Sequence, residues 1–276
     1  MIEALFEEGV QSFIEASLDD FDERNKPLVF LHVGKTAGSS FREELADRFQ
    51  PCENVFVDFS KLKLPVSTAQ YSAVMESSLA DLSANRVRKC RMVSGHFRYD
   101  QITKFAGLAN GRLITFLREP VARLASDYEY HRSSAHPDHD EFRAQYPTFR
   151  AFIRDPRNIN AMYRQLTPAG FSDGTDAAAW IGRNYYWVGL QENYVASVKL
   201  LFAMNGMRFS PQHSIRKSNS ARAVFDASDV KLAEELNSVD MQLFRTFQAG
   251  YADLWDEIYR LTDYDRIFNL YLRTQC

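Results

Sequence analysis

The segment Val29-Phe30-Leu31-His32-Val33-Gly34-Lys35-Thr36-Ala37-Gly38-Ser39-Ser40-Phe41 limits the fold of this chain more than any other. A short run rich in β-branched and aromatic residues stops at a glycine and a lysine. Small hydroxyl residues follow, and a helix begins at about Ser39. That pattern reads as a strand, a tight turn and a helix N-terminus. Backbone N–H groups and the positive end of a helix dipole both attract an anion there, and Lys35 adds a full charge. The expectation is a nucleotide-like phosphate held by Gly34, Lys35, Thr36, Ala37, Gly38, Ser39 and Ser40.

Further apolar stretches at Asn54 to Phe59, Arg91 to Ser94, Arg112 to Leu117 and Tyr186 to Leu190 read as strands, with helical patterns such as Phe41 to Phe49 and Tyr71 to Leu82 between them. Alternating β and α segments imply an α/β fold, a P-loop-like three-layer sandwich with a central parallel sheet and helices on both faces. With 276 residues and 45% hydrophobic content, the chain can build one large core, read as a single domain over 1–276. Residues 1–26 are expected to form an amphipathic helix, through Ile2, Leu5, Phe6, Val10, Phe13, Ile14 and Leu18, and then a charged linker. Docking on the body of the fold is the favoured role of that helix, a homodimer contact the alternative. From about 131 to 185 the strand signal vanishes and prolines recur, which reads as a mostly helical insertion over the sheet. Leu243, Phe244, Phe247, Tyr251, Leu254, Trp255 and Ile258 form one helical stripe near the end.

Net charge is −3 and pI about 6.1, so bulk electrostatic binding of nucleic acid is not expected. The acidic start and the lack of a long apolar run argue against a signal peptide or transmembrane segment, and three scattered cysteines fit a reducing, cytoplasmic setting. His131, His136 and His139 with Asp138 and Asp140 surround Pro137, a solvated loop in preference to a metal site.

A glycine-lysine-threonine turn invites comparison with P-loop NTPases. The signature G-x-x-x-x-G-K-[ST] needs a glycine where Val29 stands. Such enzymes also need a carboxylate at a strand end for magnesium, whereas the strand Leu113 to Leu117 ends in Arg118; Asp58 alone could serve a small-molecule kinase. Arg118-Glu119-Pro120-Val121-Ala122-Arg123-Leu124-Ala125-Ser126-Asp127-Tyr128 begins a second motif, with Pro120 in a first helical turn and Arg118 and Ser126 left for a ligand. Lys35, His96 and Arg118 each closely follow a predicted strand, so three stretches deliver functional groups to one sheet edge. His96 suits a general base, because imidazole titrates near working pH.

V-F-L-H-V-G-K-T-A-G-S-S-F resembles the 5′-phosphosulfate loop of carbohydrate sulfotransferases of the hexuronic-acid O-sulfotransferase type, and R-E-P-V-A-R-L-A-S-D-Y resembles their 3′-phosphate motif. S-G-H-F at Ser94 to Phe97, G-L-Q-E-N-Y at Gly189 to Tyr194 and Asn160 to Leu166 fit the same order. Gly34 stands for a proline of the usual pattern and Ala37 for a glycine. The resemblance implies 3′-phosphoadenosine 5′-phosphosulfate (PAPS) as donor, with 3′-phosphoadenosine 5′-phosphate (PAP) as product and no metal requirement. It also implies Lys35 and His96 as catalytic residues, Arg118 and Ser126 on the 3′-phosphate, and a basic flap with Arg216 and Lys217. The acceptor is expected to be a small molecule or glycan. Asn160 and Arg164, four residues apart, would meet it from one helix face. A nucleotide-binding scaffold without turnover is the non-enzymatic alternative.

Overall fold

A computed structural model describes residues 2–55, 68–83, 87–207 and 225–261. In chain order these form α1 (Ile2–Glu8), α2 (Val10–Asp19), α3 (Phe21–Asn25), β1 (Leu28–Leu31), α4 (Gly38–Ala46), β2 (Cys52–Val55), α5 (Thr68–Ser83), β3 (Met92–Gly95), α6 (Tyr99–Ile102), α7 (Ala106–Ala109) and β4 (Arg112–Leu117). There follow α8 (Pro120–Arg132), α9 (His139–Gln145), α10 (Phe149–Ile153), α11 (Ala161–Leu166), α12 (Gly174–Asn184), β5 (Trp187–Leu190), α13 (Tyr194–Met204), α14 (Ala227–Leu236), α15 (Ser238–Ala252) and α16 (Trp255–Arg260).

The strands form one parallel sheet in the order β2-β3-β1-β4-β5. Every residue of β1, β3, β4 and β5 is buried. Successive strand side chains point to opposite faces, so unbroken burial requires cover on both sides. The α/β fold expected from the sequence is therefore the one observed. In register, Leu31 lies between Gly95 and Thr115, which brings the carboxyl ends of β3, β1 and β4 side by side. The chain leaves β1 for β2 and β3 on one side and for β4 on the other. In open parallel sheets a reversal of strand order of this kind marks where ligands bind, beyond the carboxyl ends of the strands.

Several element boundaries differ from expectation. Gly9, at φ 84°, breaks the N-terminal helix into α1 and α2. The apolar face stays continuous, with Ile2, Leu5, Val10, Phe13, Ile14 and Leu18 buried in the main core. The charged linker contains α3, which the Asp20 side chain caps by accepting from Glu23 N at 2.9 Å. The C-terminal stripe divides at Asp253 between α15 and α16, though Tyr251 and Trp255 still stack at 4.5 Å. The insertion is helical as expected. It begins later than 131, because α8 continues to Arg132. Its first half packs with α8 and α14 around Tyr128, Phe149, Phe152 and Ile153, and its second half places Met162, Leu166 and Ile181 in the main core. No helix of the described residues is long and apolar enough to cross a membrane.

Candidate functional site

The loop after β1 is shaped by its backbone. Lys35 and Ala37 lie in the left-handed region at φ 68° and 65°, a conformation that costs a residue with a β-carbon about 1–2 kcal/mol. Thr36 is fully buried between them, and its hydroxyl donates to Val33 O at 2.8 Å, closing the turn. Ala37 is the N-cap of α4 and supplies no side-chain cap. The first N–H groups of a helix have no intrahelical acceptor, so those of Gly38, Ser39 and Ser40 are available to an anion. Gly38 is required by its neighbour: a β-carbon there would lie 2.0 Å from Cδ2 and Nε2 of His32. Gly34 has open space around it and no left-handed φ, so the turn does not depend on glycine at that position. Ala37→Gly is expected to raise stability by about 0.5–1 kcal/mol through relief of the left-handed strain, part of which is offset by the freer unfolded chain. Urea unfolding measures this, and a loss of stability would contradict it.

His96 follows β3 directly and meets the β1 loop. Its Nδ1 lies 2.8 Å from His32 O. A carbonyl only accepts, so Nδ1 carries the proton and Nε2 is left with its lone pair. The His32 and His96 rings stack at 4.1 Å. His96 keeps solvent access, yet the protein packed around it holds its pKa below the ordinary 6.5; the His32 carbonyl and Asp127 oppose this, and Arg42 adds to it. His32 is depressed further, by burial first and then by His96, Arg42 and Lys35. Both imidazoles are thus neutral at pH 7. His32 lies one residue beyond the end of β1, with its ring half-buried.

Arg118 arrives from β4, and its Nη1 donates to Lys35 O at 2.9 Å. The strand-end convergence is thereby realised in contacts: His96 to the carbonyl of His32, and Arg118 to that of Lys35. Glu119 caps α8, accepting from Val121 N at 3.0 Å and Ala122 N at 2.6 Å. Its own N–H donates to Glu192 at 2.9 Å, so the G-L-Q-E-N-Y stretch braces the segment that carries Arg118. Ser126 is half-buried on α8. One residue on, Asp127 lies in the field of Lys35, Arg123 and His131. Burial raises its pKa, but the His131 hydrogen bond and these cations outweigh that and lower it. His131 Nδ1 is 3.2 Å from Asp127 Oδ1 and 2.9 Å from Asp127 O. Burial disfavours the charged imidazole, and the Asp127 contacts outweigh it, so the His131 pKa is raised. Lys35 Nζ sits 4.0 Å over the Tyr130 ring. Burial lowers its pKa, Asp127 raises it and Arg118 lowers it.

On the acceptor side one expectation changes, that of a shared helix face. Asn160 lies outside α11 with φ 50°, so it does not share a helix face with Arg164. Its side-chain oxygen accepts from Asp240 N at 3.1 Å and its N–H donates to Asn237 Oδ1 at 2.7 Å. Arg164 Nη1 donates to Pro156 O and Ile159 O at 2.7 and 3.0 Å, bracing the preceding loop. Gln165 of the same stretch meets both strand-end loops: its Nε2 donates to His32 O at 3.0 Å and Phe97 O at 3.2 Å. It ties the β1 and β3 loops together. The sequence reading also missed Asp127 and Tyr130; the spacing of Arg123, Asp127 and His131, four apart on a helix, carried that signal. Arg216, Lys217 and Asp58 lie outside the described residues.

No protein-family model and no curated protein matches the chain. Among solved structures, mouse sulfotransferase SULT7A1 complexed with PAP aligns over 96% of this chain and 95% of its own, with 14% sequence identity and a TM-score of 0.38. That likeness is too distant to bear on the chemistry of the site.

Proposed function

We propose that this chain is a PAPS-dependent sulfotransferase of the hexuronic-acid O-sulfotransferase type, acting as a single 276-residue domain on a hydroxyl of a glycan or small glycoconjugate. The observation that carries this is His96, its Nδ1 2.8 Å from the carbonyl of His32, beside a lysine loop that Arg118 grips from the next strand.

The donor contributes an activated sulfuryl group on a good leaving phosphate. The residues fit it. The left-handed turns at Lys35 and Ala37 and the uncapped start of α4 offer N–H groups to a 5′-phosphate. Ser39 and Ser40 add hydroxyls. Arg118 and Ser126, on the neighbouring strand end and helix, suit a second, 3′-phosphate. His96 Nε2 takes the proton of the acceptor hydroxyl as its oxygen bonds to sulfur, and Lys35 stabilises the charge on the departing phosphate oxygen. A sulfuryl group carries less charge than a phosphoryl group, so these fixed cations can act where kinases need magnesium.

The test is transfer of labelled sulfate from PAPS to a desulfated hexuronic-acid polysaccharide, with and without a chelator, across pH. Transfer is expected to be indifferent to the chelator. General base catalysis needs neutral His96, so the rate falls as pH drops through its pKa, and the acid limb should have its midpoint below the ordinary 6.5. An acid limb above 7, or a need for ATP and magnesium, would overturn the assignment.

A further inference from the structure

The carbonyl of His32 meets two side chains from different elements. His96 Nδ1 lies 2.8 Å from its oxygen, and Gln165 Nε2 donates to it at 3.0 Å. A carbonyl oxygen has two lone pairs, so these contacts use its full capacity. Because β1 ends at Leu31, His32 O lies beyond the sheet ladder, and no backbone N–H among the described residues donates to it. The second proton of the Gln165 amide goes to Phe97 O at 3.2 Å, on the residue next to His96. Both partners are carbonyl oxygens and only the amide nitrogen can face them, which fixes the orientation of the Gln165 side chain. One amide group thus holds the His32 carbonyl and the loop that carries His96 at a set separation.

The helix that presents Gln165 is tied at both ends. Asp240, fully buried on α15, accepts from Met162 N at 3.0 Å and Tyr163 N at 2.9 Å, N–H groups of the first turn of α11 that have no acceptor within the helix. At the far end the Tyr185 hydroxyl donates to Leu166 O at 2.7 Å, and Thr167 Oγ1 to Tyr163 O at 2.8 Å. Met162 and Leu166 are fully buried. A side chain on an element held in this way can define a position that one on a loose loop cannot.

We propose that Gln165 is a positioning residue for the general base. By holding His32 O it keeps the His96 proton on Nδ1, which leaves Nε2 free to receive a proton. The inference rests on the reading of His96 as the base, and Gln165 itself touches no reacting atom in this role. Without Gln165 the His32 carbonyl is free to turn, and the tautomer with its proton on Nε2 becomes populated. That tautomer cannot take a proton from an acceptor hydroxyl through Nε2. A tie that served the fold alone would cost stability on removal and leave the tautomer as it was.

The test reads the ring nitrogens of His96 by 15N NMR in the ligand-free full chain, at alkaline pH where the ring is neutral. Gln165→Leu keeps the bulk and loses both donors. Gln165→Glu keeps the shape, but its ionised carboxylate only accepts, so it serves even where leucine disturbs the fold. The wild-type protein should show one tautomer, protonated on Nδ1, and both variants a mixture with the Nε2-protonated form. Turnover at saturating donor and acceptor should fall about tenfold, between the loss of one neutral hydrogen bond and the loss of the base itself, with PAP affinity unchanged. A single Nδ1-protonated tautomer in both variants would overturn the proposal, whatever happens to turnover. Mixed tautomers with wild-type turnover would instead remove His96 as the base, and the proposal with it. The tautomer is read without donor or acceptor, so the two failures are told apart.

Discussion

His96→Ala is expected to lower sulfuryl transfer by about 10²–10⁴-fold, the usual range for loss of a general base, while PAP affinity changes little. The split follows from the geometry. His96 belongs to the β3 loop and reaches across to His32 O, whereas the phosphate loop is closed by its own contacts, Thr36 to Val33 and Arg118 to Lys35. His96→Asn separates position from chemistry, because an amide can still donate toward the His32 carbonyl and has no basic nitrogen. It should keep the fold and the donor affinity and remain as slow as alanine. Wild-type turnover in either variant would require another residue as the base.

Gly38→Ala is expected to be the most damaging small substitution in the donor loop. The added methyl would lie 2.0 Å from the His32 ring, far inside contact distance. Either the ring swings away and gives up its stack on His96, or α4 shifts its first turn. Overpacking of this kind costs about 1–3 kcal/mol, and a displacement near 1 Å in a binding loop can cost about 10²-fold in activity. Gly34→Ala, four residues earlier, has open space and no left-handed backbone to oppose it, so it should leave donor affinity nearly unchanged. His32→Ala combined with Gly38→Ala should recover stability relative to Gly38→Ala alone, since the clash partner is gone. Calorimetric titration with PAP and thermal unfolding of the four proteins measure both effects. Equal behaviour of the two glycine variants would contradict the packing argument.

The strand-loop-helix at 29–41 and the strand before Arg118 were legible in the sequence because both are local: β-branched runs, a glycine-lysine turn and a proline in a first helical turn all act within a few residues. The convergence of Lys35, His96 and Arg118 was legible because parallel strands put every following loop on one edge. Pairwise partners were not. Gln165 reaches His32 O from 133 residues away, and no periodicity records a contact of that range. Asn160 misled for a different reason. Its spacing from Arg164 suggested one helix face, but the left-handed backbone at Asn160, fixed by Asp240 and Asn237, starts the helix after it. His131 was grouped with a loop because Pro137 lies close by in sequence; the pairing with Asp127 holds it in the last turn of α8 instead.

The most direct test of the central claim is calorimetric titration of the metal-free protein with PAP and with AMP, repeated on Arg118→Ala. Charge-assisted bonds to the extra phosphate should each contribute about 1.5–3 kcal/mol. PAP should therefore bind at least about tenfold more tightly than AMP, and Arg118→Ala should remove most of that difference. Equal affinities for the two nucleotides in the wild-type protein would contradict the account.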